Sequence, residues 1–266
     1  MHSTLRSHIV IPARLASTRL PRKLLLAQTG KPLIQHTYEA AQRARKPSGV
    51  CVAADSDEIA IAVHGFGGQV FLTNPNCASG TDRIAEVVAK LEEVDVVVNV
   101  QGDEPELSGE AIDLVVELLE THSGAKMATL ATPIQNREKL NDPACVKVVM
   151  APAADDCKAA GPTALRALYF SRAAVPHARE WNDDLLTAGP PHFFQHLGLY
   201  AYRVEFLLKL ATLPRTPLER LENLEQLRAL EHGYEILVGT VDEPTIGIDT
   251  PADYAAFVER FHRASA

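Results

Sequence analysis

Arg14, Arg19, Arg22 and Lys23 fall together in the stretch HIVIPARLASTRLPRK, residues 8–23, of a chain whose formal net charge is −8. Forked guanidiniums, an ammonium and the hydroxyls of Ser17 and Thr18 form a donor set that can surround a polyphosphate. A solvated basic loop with scattered ion pairs is the plain alternative. The loop follows the apolar run HIVIPA, and the carboxyl end of a strand is where α/β proteins place their ligands, which favours anion binding. Neither G-x-G-x-x-G nor G-x-x-x-x-G-K-[ST] occurs in the chain, so dinucleotide-fingerprint and P-loop chemistries drop out.

Two carboxylates stand at comparable points. In NVQGDEP, Gly102 permits a tight turn and Pro105 stops the strand, leaving Asp103 just past a buried Val-rich run. An aspartate there can hold Mg²⁺, a hard ion shared between carboxylates and phosphates, or it can serve backbone N–H groups of its own turn. In TIGIDTPADY, Thr250 reads as an N-cap, Pro251 as the first helical residue and Asp253 as the reciprocal cap, so Asp249 is left over for other work. In CASGTDRIAEVV, Ser79 and Asp82 have capping-box spacing, which is compatible with a second role beside a ligand.

The elements that carry these residues read as βαβ units. HIVIPA, GVCVAAD, QVFLT and VDVVVNVQ are expected strands, separated by helices in KPLIQHTYEAAQRARK, DEIAIAVHGFG and SGTDRIAEVVAKLEE. The continuous valines suggest a parallel strand buried on both faces. The expected fold is therefore α/β, with a mixed, mostly parallel central sheet and helices on both faces. Residues 1–266 read as a single domain with an insertion at about 123–200, in which ACVKVVM and TALRALYFS are strand-like and VPHAREWNDDLLTAGPPHFF is a surface loop or lid. In QHLGLYAY, period-two alternation puts Leu197, Leu199 and Ala201 on a core face and His196, Gly198, Tyr200 and Tyr202 on the other. PLERLENLEQLRALEHG reads as one helix, largely buried, on which Glu225 points into the apolar side and needs a partner.

Composition narrows the classes. At 46% hydrophobic, 266 residues can bury a core without staples, and the four cysteines show neither C-x-x-C pairing nor a zinc-ligand pattern, as expected of a protein from a reducing cytoplasm. No apolar run approaches the about 20 residues of a membrane helix, so neither export nor membrane insertion is expected. The acidic balance argues against nucleic-acid binding, which needs a broad basic face.

IPARLASTRLPRK resembles the N-terminal signature of the 3-deoxy-manno-octulosonate (Kdo) cytidylyltransferases, the CMP-Kdo synthetases, usually I-P-A-R-x-x-S-T-R-L-P-G-K-P-L. The chain departs from it at Arg22 and Leu24, adding a positive charge and removing backbone freedom, while Lys23 is retained. SGTDR, QGDEP, ALYFSRA, HLGLY, LEQ and GIDTP extend the resemblance over nearly the whole chain. The resemblance implies a Rossmann-like nucleotide-diphospho-sugar transferase fold and the reaction CTP + Kdo → CMP-Kdo + pyrophosphate, serving lipopolysaccharide biosynthesis, usually in a homodimer. It makes Pro12, Ala13, Arg14, Ser17, Arg19, Lys23, Ser79, Gly80, Thr81 and Arg83 nucleotide contacts, Asp103 and Asp249 the ligands of Mg²⁺, and Arg14, Lys23, Asp103 and Asp249 the catalytic set. Gln101, Arg172, His196, Tyr200, Glu225 and Gln226 then bind the sugar acid, with Arg172 either meeting its carboxylate or covering the loop. No residue is assigned as general base. Two other readings stay open: a cytidylyltransferase for 8-amino-Kdo or sialic acid, and a non-catalytic nucleotide-binding regulator.

Overall fold

The computed structural model describes residues 5–153 and 163–265; Cys157 and part of the expected insertion lie outside them. Cys51, Cys77 and Cys145 are free thiols. The chain divides into two compact units, one built from Leu5–Asp113 and the segment from Thr245 onward and the other from Leu114–Pro244.

In the first unit the apolar runs become β1 (Ser7–Ala13), β2 (Val50–Ala54), β3 (Gln69–Leu72) and β4 (Val96–Asn99), all parallel and ordered β3-β2-β1-β4. Val96, Val97 and Val98 are fully buried, which accounts for the unbroken valine run. The helices are α1 (Leu33–Ala41), α2 (Asp57–Gly65) and α3 (Gly80–Val88), joined at the far end of the chain by α10 (Pro251–Ser265). Ser56 caps α2, and Ser79 caps α3 in a complete capping box with Asp82, so both starts are where the sequence puts them. Between the units' segments runs α4 (Gly109–Thr121), which begins in the first and ends in the second.

The second unit holds β5 (Met127–Pro133), β6 (Lys147–Pro152), β7 (Leu165–Ser171), β8 (Phe194–Arg203) and β9 (Ile236–Thr240). Their order is β8-β5-β9-β7-β6, and β6 pairs back onto β8 at Lys147 and Gln195, closing the ring. β5 and β9 run parallel, whereas β5–β8, β6–β7 and β7–β9 are antiparallel. The fold is thus α/β with a mixed sheet, and the antiparallel share is larger than the sequence suggested. The helices described in the unit are α5 (Arg137–Asn141), α6 (Asp184–Thr187), α7 (Val204–Thr212), α8 (Pro217–Glu222) and α9 (Gln226–Glu231). The Pro- and Gly-rich stretch before β8 is irregular apart from α6, but it is anchored: Trp181, Leu185 and Leu186 pack on Ile134, Leu140, Cys145 and Phe193.

Two expectations are corrected here. The single helix expected over 217–233 is two, because Asn223 takes a left-handed conformation (φ 52°) between α8 and α9. Asn tolerates that region at little cost, and the turn swings Leu221 out to 83% exposure. Glu225 consequently stands before the first turn of α9, about one-third exposed, and the buried carboxylate is Glu219, 2% exposed. Arg228 binds Glu219 through Nε at 2.8 Å and Nη2 at 2.5 Å, with Arg215 adding a third contact at 3.1 Å. Second, the face of β8 expected to be polar is partly closed over: His196 and Tyr202 are buried and Gly198 and Tyr200 half-buried, while Leu197, Leu199 and Ala201 on the other face are buried.

Candidate active site

The basic loop is fixed at both ends by backbone geometry. It leaves β1 at Ala13, whose carbonyl accepts the Asp55 N–H at 3.1 Å, while the Asp55 carboxylate accepts Leu15 N–H at 2.9 Å. Arg22 takes φ 54°, ψ 29°, the left-handed region that glycine prefers, at a cost of roughly 1–2 kcal/mol for a residue with a Cβ. The resembling motif has glycine at this point, so Arg22 adopts the conformation a glycine would supply. Its guanidinium pairs with Glu58 outside the pocket, and the extra charge is spent there. A short 3₁₀ turn, Lys23–Leu25, then aims Lys23 inward.

Asp103 arrives from the end of β4. A Cβ on Gly102 would lie 3.3 Å from both the Pro12 carbonyl oxygen and Leu24 Cδ2, so only glycine fits this approach without displacing them. Thr37 donates to the Gly102 carbonyl at 2.9 Å and holds the turn. Asp249 is brought alongside by the Ile248 N–H, which donates to the Asp103 carbonyl at 2.9 Å, and by the cap of α10, in which Asp253 accepts from Asp249 N, Thr250 N and Thr250 Oγ1.

These segments meet on one ammonium. Lys23 Nζ lies 2.5 Å from Asp103 Oδ2 and 3.0 Å from Asp249 Oδ1, and Arg19 reaches the other oxygen of Asp249 at 2.9 Å. Burial disfavours the charged form of Lys23, but the two carboxylates outweigh it and raise the pKa above the ordinary lysine value. The cavity around this cluster has a volume of about 420 Å³ and is lined by Pro12, Arg14, Ser17, Arg19, Lys23, Ser79, Gly80, Gln101, Asp103 and Asp249. Arg14 donates to the Cys77 carbonyl at 3.3 Å, and Gln101 to Asn99 Oδ1 at 3.2 Å. Ala13, Thr81 and Arg83 are buried behind the lining. Arg83 is fully buried and uses Nη1 on Thr73 and the Asn74 carbonyl, while its Nε and Nη2 have no hydrogen-bond partner among the described residues.

Glu104 was legible in the QGDEP motif only as a neighbour of Asp103. It is 8% exposed, and burial, reinforced by the negative charge of Asp103, pushes its pKa up to about 8. Asp103 and Asp249 are the two carboxylates that line the cavity. Among the described residues no group of three His, Cys, Asp or Glu converges on a point. A pair of carboxylates already sharing one cation nonetheless fits a hard divalent ion that takes its remaining oxygens from phosphates and water.

The remaining candidates belong to the second unit. His196 Nε2 lies 3.0 Å from Thr129 Oγ1, beside a bulge at which β8 gains two residues on β5, and its ring stands 4.9 Å from Phe170 and 5.3 Å from Tyr200. The Thr129 hydroxyl has carbonyl acceptors at Leu197 and Leu199, so it gives its proton there and accepts one from His196 Nε2–H. Burial lowers the His196 pKa to about 3. Tyr200 stacks on Tyr202 with ring centres 5.7 Å apart. The structure places the Arg172 guanidinium on backbone carbonyls, at Glu222 (2.8 Å), Pro143 (3.0 Å) and Asn223 (3.5 Å). Glu225 lies 3.6 Å from Arg228, and the adjacent Gln226 is buried at the start of α9.

A family model described as Cytidylyltransferase matches residues 8–236. A protein from Rhodopirellula baltica named 3-deoxy-manno-octulosonate cytidylyltransferase is 51% identical, over 95% of this chain and 97% of its own length. One from Shewanella sediminis, named 8-amino-3,8-dideoxy-manno-octulosonate cytidylyltransferase, is 43% identical over 92% of this chain and 94% of its own. The solved structure of CMP:2-keto-3-deoxy-manno-octonic acid synthetase complexed with CTP superposes with a TM-score of 0.85 at 35% identity, covering 97% of this chain and 99% of that one. With its basic strand-end loop and paired aspartates in one cavity, the chain belongs to the cytidylyltransferase family, among the 3-deoxy-manno-octulosonate cytidylyltransferases.

Proposed function

We propose that the protein transfers a cytidylyl group from CTP to the anomeric hydroxyl of Kdo, forming the sugar oxygen–α-phosphorus bond and releasing pyrophosphate. The observation that carries this reading is the meeting of Lys23, Arg19, Asp103 and Asp249 in one cavity at the carboxyl ends of parallel strands. Displacement at a phosphate needs positioning and charge neutralisation more than covalent chemistry. Arg14, Arg19 and Lys23 supply positive charge to the triphosphate and to the departing pyrophosphate. Gln101, on the same cavity, is placed to orient the incoming hydroxyl. Asp103 and Asp249 would hold Mg²⁺, which when bound lowers the pKa of a hydroxyl and neutralises phosphate charge. The parallel order β3-β2-β1-β4 with its ligand cavity at the strand ends supports a Rossmann-like description of the first unit.

The product suits lipopolysaccharide assembly in the cytoplasm; among the described residues no helix is long and apolar enough to cross a membrane. A homodimer is expected from the resemblance to the family, in which that assembly is usual. An 8-amino analogue is the second reading, favoured by the relatives of that name at 43% identity. Pyrophosphate release from CTP and Mg²⁺ with Kdo, 8-amino-Kdo or sialic acid, each against a no-sugar control, separates the readings. We expect release with Kdo, its dependence on Mg²⁺, and a loss of about a hundredfold or more in Asp103→Asn with an unchanged melting temperature. Release with 8-amino-Kdo alone would move the substrate, undiminished turnover in Asp103→Asn would remove Asp103 from the site, and no release with any sugar would end the enzymatic reading.

A further inference from the structure

The second unit contains a buried polar hub that none of the chemistry above uses. Lys147, at the start of β6, is fully buried, and its Nζ donates to three backbone carbonyls: Cys145 (2.6 Å), Arg172 (2.6 Å) and Asp142 (2.9 Å). All three donors of the ammonium are thereby satisfied, which is what keeps a charged group tolerable inside a protein. Arg172, whose carbonyl is one of the three, is clasped from the other side by Glu222, the last residue of α8. Glu222 Oε2 accepts the Arg172 N–H at 2.9 Å, Oε1 accepts the Ser171 hydroxyl at 2.6 Å, and the Glu222 carbonyl accepts Arg172 Nε. One carboxylate therefore ties the end of β7 to the end of α8, and Lys147 ties the same point to the turn before β6.

The next residues after Glu222 are the left-handed Asn223, then Leu224, Glu225 and Gln226. The angle between α8 and α9 is held by the Arg228–Glu219 pair and by Glu231, which accepts from the Leu218 and Glu219 N–H groups, while the break itself is anchored at its α8 end. Arg172 grips the near end through the Glu222 and Asn223 carbonyls, and Leu224 N–H closes on the Glu219 carbonyl at 3.2 Å. We propose that Glu222 is a positioning residue for the acid sugar: by clasping Arg172 it sets the α8–α9 turn, and hence where Glu225 and Gln226 present their side chains. Arg172 then acts as a strut on this turn, its guanidinium already committed to carbonyls. The inference rests on the reading that Glu225 and Gln226 contact the sugar.

The test is steady-state kinetics of Glu222→Ala and Glu222→Gln beside the wild type, with CTP and Kdo varied separately and melting temperatures recorded. We expect KM for Kdo to rise about tenfold in Glu222→Ala with KM for CTP unchanged. Glu222→Gln keeps one carbonyl oxygen for the Arg172 N–H and should recover most of the loss. An unchanged KM for Kdo, or a parallel change in both KM values that follows a lowered melting temperature, would overturn the proposal. Should Glu222→Ala fail to fold, Glu222→Asp, whose shorter side chain draws the carboxylate away from the Ser171 hydroxyl and the Arg172 N–H, decides by the same split, a selective rise in KM for Kdo supporting the role and its absence rejecting it. A wild type inert toward CTP and every sugar would overturn the functional reading and this inference with it, whereas an active wild type with unmoved KM values overturns the inference alone.

Discussion

At the scale of single residues, environment decides what each titratable group does. Lys23 and His196 are both largely enclosed, yet burial is overcome for Lys23 by two carboxylates and left uncompensated for His196, which faces Thr129, Phe170 and Tyr200. His196 has a folded-state pKa of about 3 against an ordinary 6.5, so the unfolded chain takes up a proton on acidification that the folded chain refuses. Stability from this group is full above pH 6.5 and is lost as pH falls toward 3. Between pH 7 and pH 5 the linkage amounts to about 2 kcal/mol. Urea denaturation at the two pH values should show His196→Gln losing less stability than the wild type by about that amount; equal losses would mean that His196 is not held neutral. The sequence offered HLGLY as an alternating strand, but whether the imidazole meets water or a closed ring of strands depends on β5, β6 and β7, which lie far away along the chain.

At the scale of elements, the first unit was legible because each parallel strand is buried on both faces and so reads as an apolar run, and because Ser56, Ser79 and Thr250 announce their helices with capping chemistry. The second unit resisted. Helix α7 follows β8 directly, with Arg203 as its N-cap and neither glycine nor proline at the junction, so nothing local separates strand from helix. The leucine stripe of 217–231 hides the break at Asn223, since a 3.6-residue period cannot show a single left-handed residue. The break matters energetically, for it turns Glu219 rather than Glu225 into the interior against Arg228. Burial alone would raise the Glu219 pKa, and Arg228 and the Thr216 N–H bring it below the ordinary value. Glu219→Ala should destabilise the protein by about 3–5 kcal/mol, because it strands a buried guanidinium, while a Glu219→Met/Arg228→Met double variant should cost less than the single change. Thermal melts of the two variants check this, and a double variant at least as unstable as the single one would show the pair to be more than a mutual neutralisation.

At the scale of the whole molecule, an acidic chain lines its cavity with the cations Arg14, Arg19 and Lys23, so in the proposed reaction CTP would bind against the net field through charges acting at short range. Arg19 is largely exposed and open to screening. Raising salt from about 0.05 M to about 0.5 M should therefore increase KM for CTP about fivefold; a salt-independent KM would place the phosphate contacts on backbone N–H groups instead. The sequence by itself determined that strands alternate with capped helices in the first half, that a cationic loop leaves the first strand, that Asp103 follows a buried strand and that Asp249 is left over from the cap of the last helix, because these follow from local periodicity and residue chemistry. Only the tertiary structure decided that Lys23 bridges those two aspartates, that Arg22 can stand where glycine is usual, that Glu219 and not Glu225 is the buried acid, and that β5 to β9 close on themselves. Each of these depends on partners distant in sequence or on one backbone angle, and neither leaves a periodic trace in the chain.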